Sequence, residues 1–384
     1  MKELTDIRME LDAIDSELIE LYCKRMALMD DVAAYKIANK LPVYDPARER
    51  KKALSMMAQA EKIDPRSAQG APMLYQLLSE LGKVRQDAIL NQDDSLTEQL
   101  KAALDMPNRP FPQNASVACQ GVEGAYAQIA CTKLFALPDI FYFRDFEGVF
   151  AAIDKGLCDY GVLPLENSTA GSVNRIYDLM MQYDFKIVRS LRVKVDHNLL
   201  AKKGTKIDRI KEIISHEQAI RQCAAFLAKL PGVKVSAVEN TAAAAKMVAE
   251  SERDDIAALA SAASAQLYGL DRLAENVQDQ GNNYTRFICI SKNAEIYPGA
   301  DRTSVMMTLA HKPGSLYQVL SRINALGVNL VKLESRPLPD RDFEFRFYFD
   351  LELSVYSNEF LPLLQALRQQ GETFRYLGSY SELV

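Results

Sequence analysis

From residue 4 onward the apolar positions run Leu4, Ile7, Leu11, Ile14, Leu18, Leu21, Leu28 and Val32. Spacing that alternates three and four belongs to a long helix with one apolar seam, and such a seam must face another helix. Asp45 followed by Pro46 has the form of an N-cap and a first helical position, so a second helix starts there. A third, near 72–91, carries Leu77, Leu78, Leu81 and Val84, and no glycine occurs before Gly70. The grammar then changes. Across 114–296, short apolar runs alternate with Ala-rich helical patterns, as in α/β folds. Across 302–384 the order is strand, helix, strand, strand, helix, strand, a split-βαβ arrangement. The stretch 93–113, rich in Asp, Pro and Asn, is a linker with room for a short helix. The expected organisation is a helical segment at 1–92, an α/β segment at 114–296 and an α+β segment at 302–384.

A length of 384 residues fits several cores rather than one, and 48% apolar with 25% charged residues is a soluble globular mix. The net charge of −5 argues against a nucleic-acid partner, so any cationic chemistry must come from a few placed side chains. The six cysteines show no paired spacing, and with three histidines and no C-x-x-C motif nothing indicates a zinc site. The start, MKELTDIRMELDAID, reads as neither signal nor transit peptide, and no run is long enough to span a bilayer. A cytoplasmic protein without membrane contact is expected.

One position breaks the first seam. Where a leucine belongs stands Arg25. A buried arginine costs several kcal/mol unless its charge is met, either by a structural carboxylate or by an anionic ligand. Lys36, eleven residues on, lies about 20° away around the helix, on nearly the same face. Arg8, seventeen residues before Arg25, lies about 25 Å away along the axis and about 100° around it. One small ligand cannot touch Arg8 and Arg25 of the same straight helix. An Arg8 that serves such a pocket serves one completed by a second chain, which points to a dimer with shared sites.

With Asp45, Arg48 and Glu49 at the start of the second helix and Gln86 on the third, this segment resembles the all-helical chorismate mutase family. The resemblance implies a dimeric bundle binding chorismate through Arg8, Arg25, Lys36, Asp45, Arg48, Glu49 and Gln86. Lys36 and Gln86 would donate to the ether oxygen, Glu49 would bind the ring hydroxyl, and Arg8 would reach across from the partner chain. Conversion of chorismate to prephenate is unimolecular and needs no nucleophile, only orientation and charge stabilisation of a flexible dianion. Arginines that clamp carboxylates bidentately suit that task.

In the middle segment, several apolar runs end in small polar loops. They are GVEGAYA, then Asn167, Ser168 and Thr169 in LPLENSTAGSV, then Ser215-His216-Glu217-Gln218, then Asn240-Thr241. Hydroxyls and backbone N–H groups at strand-to-helix turns can cradle a carboxylate. At the seam of NNYTRF, Thr285 and Arg286 enter an apolar strand. Together these motifs resemble prephenate dehydratase, with departures at Val122, Ala125 and Glu217. That family implies two α/β lobes similar to periplasmic binding proteins, with the site in the cleft. By the resemblance, Thr285 donates to the departing hydroxyl of prephenate, while Asn167, Ser168, Thr169 and Thr241 hold the substrate. Arg286 either binds substrate or anchors the cleft.

The last segment resembles an ACT domain, a ferredoxin-like module that commonly binds amino acids at dimer interfaces. Gly314, Ser315 and Leu316, with Glu334, Ser335 and Arg336, fall on the positions that bind phenylalanine in dehydratases, which implies L-phenylalanine as feedback effector. The resemblances add up to a bifunctional chorismate mutase and prephenate dehydratase, working without metal or organic cofactor. The rivals are a dehydratase with a merely dimerising helical segment, and a non-catalytic ligand sensor.

Overall fold

A computed structural model describes residues 2–43, 45–90, 95–104, 109–338 and 344–384. The chain opens with helices α1 (Leu4–Asn39), α2 (Pro46–Ile63), α3 (Ala71–Leu90) and α4 (Ser95–Leu104). The Asp45 carboxylate caps α2 by accepting from Arg48 N at 3.0 Å, and α4 is the short helix for which the 93–113 stretch had room. Residues 93–94 and 105–108 of that stretch lie outside the described residues.

The middle of the chain alternates as its pattern predicts. It runs β1 (Asn114–Gln120), α5 (Tyr126–Leu134), β2 (Leu137–Phe143), α6 (Phe146–Asp154), β3 (Tyr160–Asn167), β4 (Gly171–Ser172), α7 (Asn174–Gln182) and β5 (Lys186–Lys194). It continues through β6 (Asn198–Ala201), β7 (Glu212–His216), α8 (Glu217–Gln222), α9 (Ala224–Leu227), β8 (Lys234–Val238) and α10 (Thr241–Glu250). Then come β9 (Ile256–Ala260), α11 (Ala262–Tyr268), β10 (Asp271–Ala274) and β11 (Tyr284–Ser291). The C-terminal part is β12 (Arg302–Thr308), α12 (Ser315–Ala325), β13 (Asn329–Pro337), β14 (Phe345–Glu352), α13 (Phe360–Gln370), β15 (Thr373–Tyr380) and β16 (Glu382–Leu383).

These elements form two compact units, residues 1–106 with 302–376, and residues 107–301 with 377–384. In the first unit α3 packs on α1 and α2, and also on α12 and α13, the helices that cover a four-stranded sheet ordered β13-β14-β12-β15. The helical segment and the βαββαβ segment thus share one unit. Their union is not visible in the apolar periodicity because the α3 face that joins them is largely polar. The α1 seam is the second surprise. Leu4, Leu11, Ile14, Leu18, Leu21 and Leu28 are each more than half exposed, and the buried side chains of α1 are Met26 and Ala33. Among the described residues no helix covers that seam.

The second unit has two lobes. One is a seven-stranded sheet ordered β16-β5-β11-β3-β1-β2, with β4 paired to β3; the other is a five-stranded sheet ordered β10-β6-β9-β7-β8. The chain crosses between lobes twice, after β5 and before β11. Each lobe has its own apolar interior, one around Cys119, Val162, Phe287 and Cys289, the other around Leu199, Ile213, Ala257 and Leu259. The last eight residues, grouped by their pattern with the C-terminal segment, belong here: β16 pairs in parallel with β5, Glu382 opposite Ser190. Among the described residues, no helix is long and apolar enough to cross a membrane.

Candidate active sites

The first site is built on α1, α2 and α3. Arg25 is half-buried and donates to the carbonyl oxygen of Leu78 at 2.6 Å. Among the described residues no carboxylate pairs with it, so the structural salt bridge that could have explained its place in the seam is absent. A Cβ at position 82 would stand 3.3 Å from its Nη1 and 3.0 Å from Met29 Sδ, and Gly82 leaves that room. Lys36 donates to Val43 O at 2.7 Å. Burial holds its pKa below the usual lysine value, and the nearby Arg48 guanidinium lowers it further against the opposing pull of Asp45, Asp87 and Glu49. Asp45 is exposed and occupied as the α2 cap, and Arg48 is exposed.

Gln86 is buried, and its amide donates to Gly82 O at 3.1 Å while its Oε1 meets no hydrogen-bonding partner. A buried amide oxygen without a partner calls for a hydrogen-bond donor, and the cations Arg25 and Lys36 near it suit negative charge on the same ligand. Glu49 accepts from Ser79 Oγ at 3.2 Å and from Lys83 Nζ at 3.3 Å. Ser79 and Lys83 went unnoticed in the sequence. Arg8 stays apart, exposed on the first turns of a single continuous α1.

The second site lies in the second unit, where β3, β11 and α8 converge on a cleft of about 610 Å³. Its lining includes Ser168, Thr169, Gln218, Arg221, Gln222 and Asn283. Thr285 stands opposite Asn167 in the β11–β3 ladder. Asn167 Oδ1 accepts from Thr169 N at 3.0 Å, Ala170 N at 2.9 Å and Thr169 Oγ1 at 2.7 Å. These three donors fix the amide orientation, so the NH2 end must face Thr285 Oγ1, 3.0 Å away. The Thr285 hydroxyl therefore accepts from Asn167 and keeps its own proton to donate. Ser168 ties the loop to β11 by donating to Asn282 O at 2.8 Å and accepting from Tyr284 N at 2.9 Å.

Gln222 bridges the lobes. Its amide donates to Thr169 Oγ1 at 2.7 Å, and its Oε1 accepts from Asn283 Nδ2 at 3.0 Å and lies 3.0 Å from His197 Nε2. The imidazole is buried and its pKa is lowered by that burial, which leaves Nε2 to donate as the neutral tautomer. The motif read at Ser215-His216-Glu217-Gln218 stops four residues short of Gln222. The available signal was the i, i+4 relation of Gln218 and Gln222, one face of one helix. Ser215 instead donates inward to Leu259 O at 2.7 Å, and His216 caps α8.

Two expected substrate contacts look different in place. Asn167 and Thr285 stand just behind the cleft lining, joined to it through Thr169 and Asn283, whereas Thr241 opens α10 behind its Asn240 cap, outside that lining. Arg286 is buried, with Nε 2.8 Å from Glu382 and 3.0 Å from Ser190 Oγ, Nη2 3.0 Å from the Tyr380 hydroxyl, and Nη1 3.4 Å from Glu166. Of its two readings, the geometry supports the anchor: the guanidinium fastens the C-terminal β16 to the sheet that carries Thr285. On the first unit, Gly314 caps α12 at φ 89°, a backbone that favours glycine, with Ser315 and Leu316 half-buried after it. Glu334, Ser335 and Arg336 lie on the edge strand β13, opposite Tyr348, Phe347 and Arg346 of β14.

Two family models match this sequence, Prephenate dehydratase over residues 117–295 and Chorismate mutase type II over residues 7–81. The bifunctional chorismate mutase/prephenate dehydratase of Aquifex aeolicus is 31% identical over 99% of this chain and 98% of its own. The arogenate dehydratase/prephenate dehydratase 2 of Arabidopsis thaliana is 33% identical, over 81% of this chain and 88% of its own. Among solved structures, the prephenate dehydratase of Arthrobacter aurescens in complex with L-Phe superposes with a TM-score of 0.64 at 27% identity, covering 69% of this chain and 89% of that one. GqqA, described as a novel type of quorum quenching acylase, gives 0.63 at 31% identity, covering 69% and 97%. The chain belongs to the family of bifunctional chorismate mutase/prephenate dehydratases, which combine an isomerase and a lyase in one polypeptide.

Proposed function

We propose that this enzyme rearranges chorismate to prephenate on its helical segment and converts prephenate to phenylpyruvate in the α/β cleft, serving phenylalanine biosynthesis. The observation that carries the reading is the pairing of two unlike sites in one chain. One offers Arg25, Lys36 and Arg48, which among the described residues form no salt bridge, beside a buried amide; the other offers a threonine hydroxyl that accepts from Asn167 and keeps its proton to donate. In the first, the arginines clamp the carboxylates, Lys36 and Gln86 donate to the ether oxygen as its charge grows, and Glu49 receives the ring hydroxyl. In the second, Thr285 donates to the departing hydroxyl as the ring carboxylate leaves as CO2, and Asn167 positions Thr285. Thr169, Gln222 and Arg221 face the substrate across the cleft.

A second copy of the chain completes the first site. It would cover the exposed α1 seam and bring its own Arg8 to the pocket, which the straight α1 helix cannot do within one chain. The βαββαβ segment, with the form of an ACT domain, would take L-phenylalanine between Gly314-Ser315-Leu316 and Glu334-Ser335-Arg336 and so regulate the enzyme. The Arthrobacter relative solved with L-Phe supports that role. The modules of this reading are 1–92, 114–296 and 302–384. All six cysteines are free and five are buried, which suits the cytoplasm. An acyl-transfer reading, prompted by the acylase relative, needs a hydroxyl activated by a base. Ser168 Oγ is spent on backbone groups and His197 holds Gln222, so the cleft does not favour it.

The test is to supply chorismate alone and follow chorismate, prephenate and phenylpyruvate in one time course. Phenylpyruvate rising after transient prephenate is expected. Unconsumed chorismate would reduce the helical segment to a dimeriser, and prephenate accumulating without phenylpyruvate would leave the cleft as a binding site only.

A further inference from the structure

Outside both sites, the least ordinary feature is a row of charges inside the first unit. On α3, Glu80, Lys83 and Asp87 are almost wholly buried, and Glu80 and Asp87 meet Arg322 of α12. Lys83 Nζ reaches Glu80 and, 3.3 Å away, Glu49. From α12, the buried Arg322 donates through Nη1 to Asp87 and, at 2.9 Å, to Ala366 O. Its Nε faces Glu80 Oε2 at 3.6 Å, and neither of these two atoms has a hydrogen bond. The charges form a continuous chain, Asp87–Arg322–Glu80–Lys83–Glu49, running from the C-terminal module to a residue of the mutase pocket.

Buried charges hold a fixed geometry only while every partner is present, because each removed partner strands an uncompensated ion. Lys83 is shared between two carboxylates. If Glu80 loses Arg322, it draws more strongly on Lys83, and Glu49 loses its share. We propose that Arg322 is a positioning residue of the mutase site, setting the Glu49 carboxylate through Glu80 and Lys83 although it touches no substrate. The inference deepens the mutase reading and rests on it. It makes the C-terminal module part of the machinery that orders the chorismate pocket.

The experiment uses the full chain. Wild-type conversion of chorismate is measured first; its absence would overturn the mutase reading itself, whatever Arg322 does. With that activity in hand, Arg322→Met is expected to raise KM for chorismate about tenfold with little change in kcat, since Glu49 would bind the ring hydroxyl in ground and transition states alike. Arg322→Lys is expected to recover part of that loss. In a Glu49→Gln background, Arg322→Met should add less than about twofold, the non-additivity of residues acting through one group. An unchanged KM, or the same tenfold loss on top of Glu49→Gln, would overturn the proposal and leave Arg322 as a packing residue. If Arg322→Met does not fold, the conservative Arg322→Lys decides: a KM for chorismate raised several-fold upholds the relay and a wild-type KM overturns it.

Discussion

The two sites differ in the kind of polarity they hold. The helical pocket is ionic. Among the described residues Arg25 and Lys36 donate to backbone carbonyls and form no ion pair with a carboxylate, and the Glu49 carboxylate is held by a buried lysine. The cleft between the lobes is built mainly from neutral groups: Asn167, Asn283, Gln222 and Thr169 pass hydrogen bonds around a closed circuit, and Thr285 branches from it at Asn167. The contrast follows from the reactions. A pericyclic rearrangement transfers no proton, so the protein can contribute only shape and fixed charge. A dehydration needs a proton or hydrogen bond delivered to a leaving hydroxyl, and a neutral circuit can orient a weak donor such as threonine.

Removing the donor should produce the largest effect. Thr285→Ala should cut dehydratase kcat by about 100- to 1000-fold with the mutase rate unchanged; near-normal phenylpyruvate formation from supplied prephenate would remove Thr285 from the reaction. Removing the clamp should come next. Arg25→Ala should lower mutase kcat/KM by about 100-fold and spare the dehydratase, and an unchanged mutase rate would return Arg25 to structure. Arg286→Met probes the anchor beside the cleft. Glu382 keeps Arg192 at 2.7 Å but loses its closest contact to Arg286, so the α/β unit should be destabilised by about 1–3 kcal/mol in chemical denaturation. A specific rise in KM for prephenate at unaltered stability would restore Arg286 to substrate binding.

The smallest expected effect is on pH dependence. Lys36 has a pKa below the ordinary lysine value through burial and the neighbouring Arg48, so its proton leaves at lower pH than that of a free lysine. The alkaline fall of mutase kcat/KM, which reports the free enzyme, should start below the usual lysine range, and Lys36→Arg should move it upward. A dehydratase profile sharing that alkaline limb would contradict the separation of the sites.

Much of this was legible from periodicity and turn chemistry. The α2 cap at Asp45, the alternation of the middle segment and the βαββαβ order all follow from local residues. Arg25 stood out because a charge in an apolar seam breaks a pattern. Glu80, Lys83 and Asp87 did not, because charged residues at helical spacing read as a solvated face. In the fold that face is buried, while Leu74 and Leu77 on the same helix are exposed. That face of α3 is buried with the help of α12 and α13, more than two hundred residues away in the chain, and no local pattern carries that. Gln222 was missed for a related reason. Its partners Thr169, His197 and Asn283 come from segments that only the two-lobed topology brings together.

The most direct test of two independent sites is complementation with chorismate as the only substrate. Thr285→Ala protein alone should convert chorismate to prephenate and stop there, and Arg25→Ala protein alone should leave most of the chorismate untouched. A mixture of the two should make phenylpyruvate at a rate approaching wild type. A Thr285→Ala protein that cannot consume chorismate, or a mixture that stalls at prephenate, would contradict the account.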